Sequence, residues 1–267
     1  MRGLVDTHAH LDEIEDLTTV IQKAREAGLE AIIAVGSDNV SNQKVLEICQ
    51  QYTYFVHPAL GLHPLGLGDM DSSQIHHTLQ YIEEKIADIV AIGEIGLDYD
   101  KRVIKRASKD LQKDVLKNLL TLARSYNKPV SLHNRYSWKD CFDFVYDAGI
   151  KKVVFHWFTG FSSTLRDILD AGYFISCTPA IEYHEEHRRV IKETPLEQLV
   201  LETDSPVVYG REVRYRAQPA DVLRSLKTVA SIKGVSEIEV AQQTTYNARK
   251  IFDIKPPESL PQPGEIT

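Results

Sequence analysis

The sequence predicts a single α/β domain, a (β/α)8 TIM barrel, and three observations carry that expectation. Eight short apolar runs alternate with helical patterns or with loops long enough to hold a helix. Five of the runs end in potential metal ligands: His8 and His10 in LVDTHAH, Glu94 in VAIGEIG, His133 in VSLH, His156 in VVFH and Asp204 in LVLETD. These are the first, fourth, fifth, sixth and eighth runs. An open doubly wound sheet shares the alternation but would hold its first and eighth strands far apart. A closed barrel brings all five tips around one mouth.

The elements follow in order. Strands are expected at 3–9, 31–36, 54–60, 89–95, 129–133, 152–157, 173–177 and 199–203. Between the first two, Leu17, Val20, Ile21, Ala24 and Ala27 form an apolar stripe that stops at Gly28, a C′ residue. Leu111, Val115, Leu119 and Leu122 repeat the stripe after Ser108, an N-cap. The helix from Ser162 to Ala171 ends before Gly172. Pro219 suits a first helical turn, with Val222, Leu223, Leu226, Val229 and Ala230 behind it. Ser236 and Glu239 have capping-box spacing for a last helix that reaches about Phe252. The barrel domain is expected over 1–254, and the Pro-rich tail KPPESLPQPGEIT, 255–267, is expected to be loose.

Whole-chain numbers permit this fold. At 267 residues and 43% hydrophobic, the chain can bury a large core. No apolar run approaches the ~20 residues of a membrane span, and MRGLVDTHAH enters the first strand too soon for a signal peptide. Cys49, Cys141 and Cys177 are odd in number and form no CxxC, which suits a reducing cytoplasm. A net charge of −7 excludes a protein that coats nucleic acid through general basicity. A nuclease remains compatible with it, since bound divalent ions supply local positive potential.

Each ligand type has a physical reason for its place. His8 and His10 are two apart on a strand and point to the same face. Glu94 sits in a run otherwise apolar from Ile89 to Leu97, where a charge is costly unless paired or metal-bound. Its two oxygens could bridge two cations. His133 and His156, at the tips of adjacent strands, resemble a ligand pair. Asp204 precedes Ser205-Pro206, where the strand must stop, and could both ligate a metal and take a proton from attacking water. Glu202 shares its facing and would support it. Such clusters bind divalent cations, which lower the pKa of bound water. The residues therefore predict a metal-dependent hydrolase.

VDTHAHLD, GLHP, IGEIGLDY, LHNR, FHWFTG and LETDSP, in this order, resemble the TatD family of metal-dependent deoxyribonucleases, within the amidohydrolase-type barrels. The match runs from about residue 4 to 253. The resemblance implies phosphodiester hydrolysis, often 3′-to-5′ exonucleolytic on DNA, at a two-metal site on the barrel's C-terminal face. Carried over by motif, His8, His10, Glu94 and Asp204 would hold one ion and Glu94, His133 and His156 the other, with Asp204 the catalytic base beside Glu94. Zinc, manganese or magnesium would serve. The partner expected is single-stranded DNA or another phosphodiester, with no membrane and no obligate protein partner evident.

The chain departs from the family's pattern at the rim. His63-Pro64 runs into Leu65-Gly66 rather than another His. HNR stands where HSR is common, and HWFTG where HCFSG is common. YGREVRYRAQP keeps Arg211, Arg214 and Arg216 but lacks the usual Asn-Glu-Pro ending. These differences bear on substrate, because the ligands are intact. Phosphate binding is expected from KRVIKRASK (101–109), which carries five basic residues, from Arg135 and from Arg211–Arg216. His63 is expected to contact substrate or to pack under its loop. His184 and His187, in EYHEEHRR, are expected on a polar helix face, and His57 in the third strand. Two other functions fit the same ligands. One is an amide or ester hydrolase, including an aminoacyl-tRNA deacylase, betrayed by turnover of neutral substrates with oligonucleotides untouched. The other is a non-catalytic nucleic-acid-binding barrel, which the complete ligand set argues against.

Overall fold

The computed structural model describes residues 3–255. Eight parallel strands form one sheet in the order of the chain: β1 (Leu4–Ala9), β2 (Leu29–Val35), β3 (Val56–Leu60), β4 (Ala91–Asp98), β5 (Val130–Arg135), β6 (Val153–Phe155), β7 (Phe174–Cys177) and β8 (Leu199–Leu201). A short antiparallel pair, β9 (Val208–Tyr209) and β10 (Tyr215–Arg216), follows β8. The helices are α1 (Leu17–Glu26), α2 (Asn39–Gln51), α3 (Ser72–Glu84), α4 (Lys101–Ile104), α5 (Lys109–Ser125), α6 (Trp138–Asp147), α7 (Ser162–Asp170), α8 (Glu185–Glu193), α9 (Val222–Lys233) and α10 (Glu237–Phe252). Every expected strand is present within a few residues, and the expected tail lies outside the described residues except for Lys255. No described helix is long and apolar enough to cross a membrane.

The sheet closes at the β8–β1 seam. Asp204 N donates to His8 O at 2.9 Å, and His10 N donates to Ser205 O at 2.7 Å. Below them the buried Asp6 carboxylate accepts from Thr203 N at 2.9 Å, from the Thr203 hydroxyl and from His8 N at 3.3 Å. Thr7 adds a hydroxyl bond to Leu201 O at 3.0 Å. Closure is therefore made in part by side chains, which excludes the open doubly wound alternative.

Alternation sorts the core. In β2, Ala31, Ile33 and Val35 gather with Val154, Phe174 and Val200, while Ile32 and Ala34 join the larger cluster under the outer helices. The first set also holds Ala248, Ile251 and Phe252 of α10. That helix shuts the end of the barrel opposite the ligands: Asn247 Nδ2 donates to Leu199 O at 2.7 Å and to Leu196 O at 2.8 Å, and Thr245 donates to Gly3 O.

Caps behave as their chemistry requires. The Ser108 hydroxyl accepts from Leu111 N at 3.2 Å, and the Ser236 hydroxyl accepts from Glu239 N at 3.1 Å. Gly28 (φ +90) and Gly172 (φ +76) take the left-handed backbone that ends α1 and α7. Pro219 opens a 3-10 turn, Pro219–Asp221, that leads into α9 rather than being its first turn.

Candidate metal centre

All the ligand types read from the chain meet at the C-terminal mouth, around Glu94. His8 Nε2 lies 3.3 Å and His10 Nε2 3.5 Å from Glu94 Oε2. On the other oxygen, Oε1, stand His133 Nδ1 at 2.8 Å, His63 Nε2 at 3.4 Å and His156 Nε2 at 4.0 Å. Asp204 faces Glu94 across this gap. Its Oδ1 is 3.5 Å from His10 Nε2 and 3.7 Å from His8 Nε2, and its Oδ2 is 3.6 Å from His156 Nε2. Three groupings stand close enough to share a cation: His8, His10 and Asp204; His63, Glu94 and His133; and His8, His156 and Glu202.

Local structure places these groups. Glu94 rides on a stretch of β4 that approaches its neighbours closely. A Cβ at Gly61 would overlap the Glu94 backbone, and one at Gly96 (φ +151) would overlap the His133 carbonyl, so both positions need glycine. Asn42 fixes Gly61 from below, donating to its O at 2.8 Å and accepting from its N at 3.0 Å. Asp204 has a left-handed backbone (φ +51) just where β8 gives out.

Neighbouring side chains aim the imidazoles. His8 Nδ1 meets the Ser131 hydroxyl at 3.1 Å, which leaves Nε2 toward the carboxylates. His156 Nδ1 lies 2.9 Å from Glu202 Oε1, so that carboxylate orients the ring, and Trp157 N donates to the same oxygen at 3.2 Å. His133 Nε2 meets Asp98 Oδ2 at 3.1 Å, and Arg135 clasps the same Asp98 through Nε at 3.1 Å and Nη2 at 2.7 Å. Sequence reasoning had not singled out Asp98, although the signal existed: four residues on from Glu94 along one strand, it shares that residue's facing.

The charges suit cations. Burial raises a carboxyl, yet the imidazoles crowded around it, His63 and His8 with His10 and His133, hold Glu94 well below the usual carboxylate range. Asp204, equally buried, is held low by His156 and His10. Burial and the neighbouring His156 push His8 down, which favours the neutral imidazole with a lone pair to give. Against the same burial, the adjoining carboxylates raise His10, His133 and His156, so those rings hold protons that a cation would displace. His8 Nε2 is fully buried with no hydrogen-bond partner among the described residues. Donors ~2.0–2.2 Å from one cation stand roughly 3–3.5 Å apart, close to the 3.3–3.7 Å separations from His8 and His10 to the two carboxylates. The residues fit divalent metal.

The mouth opens into a cavity of about 850 Å³ lined by His10, His63, Glu94, His133, His156 and Asp204, with Arg135 and Arg216 among the residues around them. Two expectations need correcting. None of residues 101–109 lines this cavity. Arg102 is spent on Asp100 (3.0 Å), Arg106 pairs with Asp69, and Lys109 sits 3.9 Å over the Tyr99 ring. Those charges find partners nearer than the mouth. His187 is not on a polar face but fully buried, its Nε2 accepting from Thr178 N at 3.1 Å. The polar helix face of EYHEEHRR still needs one side turned to the core, and His187 is on it. His63 stands among the inner imidazoles, its ring 4.3 Å from that of His133.

A family model described as TatD related DNase matches residues 5–253. The chain belongs to that family. It is 35% identical over 260 residues to the deoxyribonuclease TATDN3 of Homo sapiens, covering 94% of each chain. It is 30% identical over 250 residues to the 3′-5′ ssDNA/RNA exonuclease TatD of Pantoea ananatis, covering 90% of this chain and 94% of that one. Among solved structures, the family's YJJV, a TatD homolog from Escherichia coli, superposes with a TM-score of 0.85 at 28% identity, covering 94% of this chain and 98% of that chain.

Proposed function

We propose that this protein is a divalent-metal-dependent nuclease that shortens single-stranded DNA from its 3′ end by hydrolysing phosphodiester bonds. The observation that carries the reading is the set of imidazoles drawn onto the two oxygens of one buried carboxylate, Glu94, opposite Asp204. Membership in the TatD family and likeness to a named 3′-5′ exonuclease support the choice of bond.

His8, His10, Glu94 and Asp204 would hold one cation, and Glu94, His133 and His156 a second, of zinc, manganese or magnesium. Bound cations of this kind lower the pKa of water and stabilise charge on phosphoryl oxygens. The chain's own residues do the rest. Asp204, whose oxygens lie 3.5 Å from His10 Nε2 and 3.6 Å from His156 Nε2, would accept the proton of the attacking water on a carboxylate oxygen. Glu94 keeps the imidazoles facing one another, while Glu202 fixes the His156 ring and Asp98 fixes both His133 and Arg135. Arg135 binds a phosphate oxygen of the substrate, and His63, adjoining Glu94 Oε1 in the cavity wall, binds beside it.

The test combines elemental analysis with a 5′-labelled single-stranded oligonucleotide. Metal should be present in the purified protein, and added manganese, zinc or magnesium should support stepwise shortening from the 3′ end that chelation stops. Oligonucleotides left untouched while neutral esters or amides turn over would overturn the reading.

A further inference from the structure

We infer that aromatic side chains just beyond β5, chiefly Tyr136 backed by Trp138, form a stacking platform for an unpaired nucleobase of the strand being cut. The inference rests on the nucleic-acid reading above and deepens it, because it names what selects a single-stranded end.

Four observations converge. Tyr136 and Trp138 line the same cavity as Glu94 and His133. Tyr136 follows His133 by three residues, so their Cα atoms are at most ~10 Å apart. Tyr136 is 60% exposed, so burial does not account for its being aromatic. Its backbone is left-handed, with φ +57, a conformation that is uncommon for a bulky residue and tends to cluster at functional sites. The next strand tip repeats the device: Trp157 has φ +41, lines the cavity, and leans on Tyr209 with ring centroids 5.5 Å apart.

The support beneath Tyr136 is built. The Trp138 ring stands 6.0 Å from Tyr136 at 66° and 5.4 Å from Phe161 at 82°. A Cβ on Gly160 would come within 2.6 Å of Trp138 Cγ, so that glycine makes room for the indole. Arg135, next to Tyr136 in the chain and lining the same cavity, has its guanidinium oriented by Asp98. A phosphate at that charge puts the attached base near Tyr136. Bases stack on aromatic rings without regard to sequence, but a base inside a duplex has no free face to offer. The platform therefore takes frayed or single-stranded ends.

The experiment compares two single-stranded oligothymidylates, one with a base on its 3′-terminal sugar and one abasic there. Cleavage is measured on unmodified strands, and binding by metal-loaded protein on strands whose terminal linkages are phosphorothioates that resist cleavage. Base stacking of this kind predicts that wild type favours the base-bearing end by about 5- to 150-fold in binding and in kcat/KM. The preference should collapse toward unity in Tyr136→Asn, since Asn accepts left-handed backbone and preserves the fold, and should return in Tyr136→Phe. Normal cleavage with no base preference, or a preference unchanged in Tyr136→Asn, overturns the platform and leaves the nuclease standing. Base-dependent binding without cleavage overturns the nuclease reading and keeps the platform. Absence of any binding overturns both.

Discussion

Removing the Asp6 carboxylate should unzip the barrel where it closes. Asp6 is fully buried and serves three donors: Thr203 N at 2.9 Å, the Thr203 hydroxyl, and His8 N at 3.3 Å. Thr203 is itself fully buried, so water cannot replace the lost acceptor without opening the seam. A buried donor left unpaired costs ~1–3 kcal/mol. Three donors, one of them long and weak, put Asp6→Ala at roughly 3–6 kcal/mol. For a domain of this size 1 kcal/mol corresponds to ~2–4 °C in Tm, so the melting point should fall by about 6–24 °C. Asp6→Asn keeps an acceptor for the two backbone amides and gains an N–H that can donate to the Thr203 hydroxyl, so it should lose well under half as much. Because Asp204 N donates to His8 O on the same seam, Asp6→Ala should also lower the metal content per folded chain. The assay is calorimetric or CD melting of chelated and metal-loaded protein, with elemental analysis alongside. A Tm within 2 °C of wild type for Asp6→Ala would refute the side-chain closure described above.

Glu94→Ala should empty or disorder the metal site, whereas Asp204→Asn should keep some metal and lose turnover; elemental analysis beside the oligonucleotide assay separates them, and full activity in either variant contradicts the assigned roles. Glu202→Gln and Asp98→Asn, which touch His156 and His133 from behind, should each cost about 10–100-fold in metal affinity or activity, read by metal titration. Burial pushes His187 down to about 3, against an ordinary 6.5. Below pH 6.5 the unfolded chain therefore takes up a proton that the native ring refuses, and stability falls with pH until about 3. At ~1.4 kcal/mol per pH unit, roughly 2 kcal/mol should vanish between pH 7 and pH 5. Urea midpoints of chelated protein should show a shallower fall in His187→Gln; an unchanged slope would contradict the buried neutral ring.

The barrel was legible because its signals are local. Each strand is a short apolar run, and Gly28, Ser108, Gly172 and Ser236 punctuate the helices through backbone needs that a single residue expresses. The ligand set was legible for a related reason: a carboxylate or imidazole at the end of an apolar strand is costly unless it is paired or metal-bound, and here five strand ends carry one. Asp98 escaped notice because a Tyr and a second Asp follow it, making it look like the start of a polar loop. His187 was misread because seven of the eight residues in EYHEEHRR are charged or histidine except for one Tyr, which hides the single position that turns inward.

What the chain determined alone was which residues sit at strand ends and what they are able to ligate, since strand period and side-chain chemistry act within a few residues. Only the closed tertiary structure decided which of them meet. Glu94 gathers five histidines from four other strand ends, Asp98 holds Arg135 and His133 together, and Arg102 and Arg106 of the basic run at 101–109 pair away from the mouth. Those outcomes depend on distances across the barrel and on which opposite charge lies nearest. Both are set by packing between segments far apart in the sequence, and no local pattern encodes them.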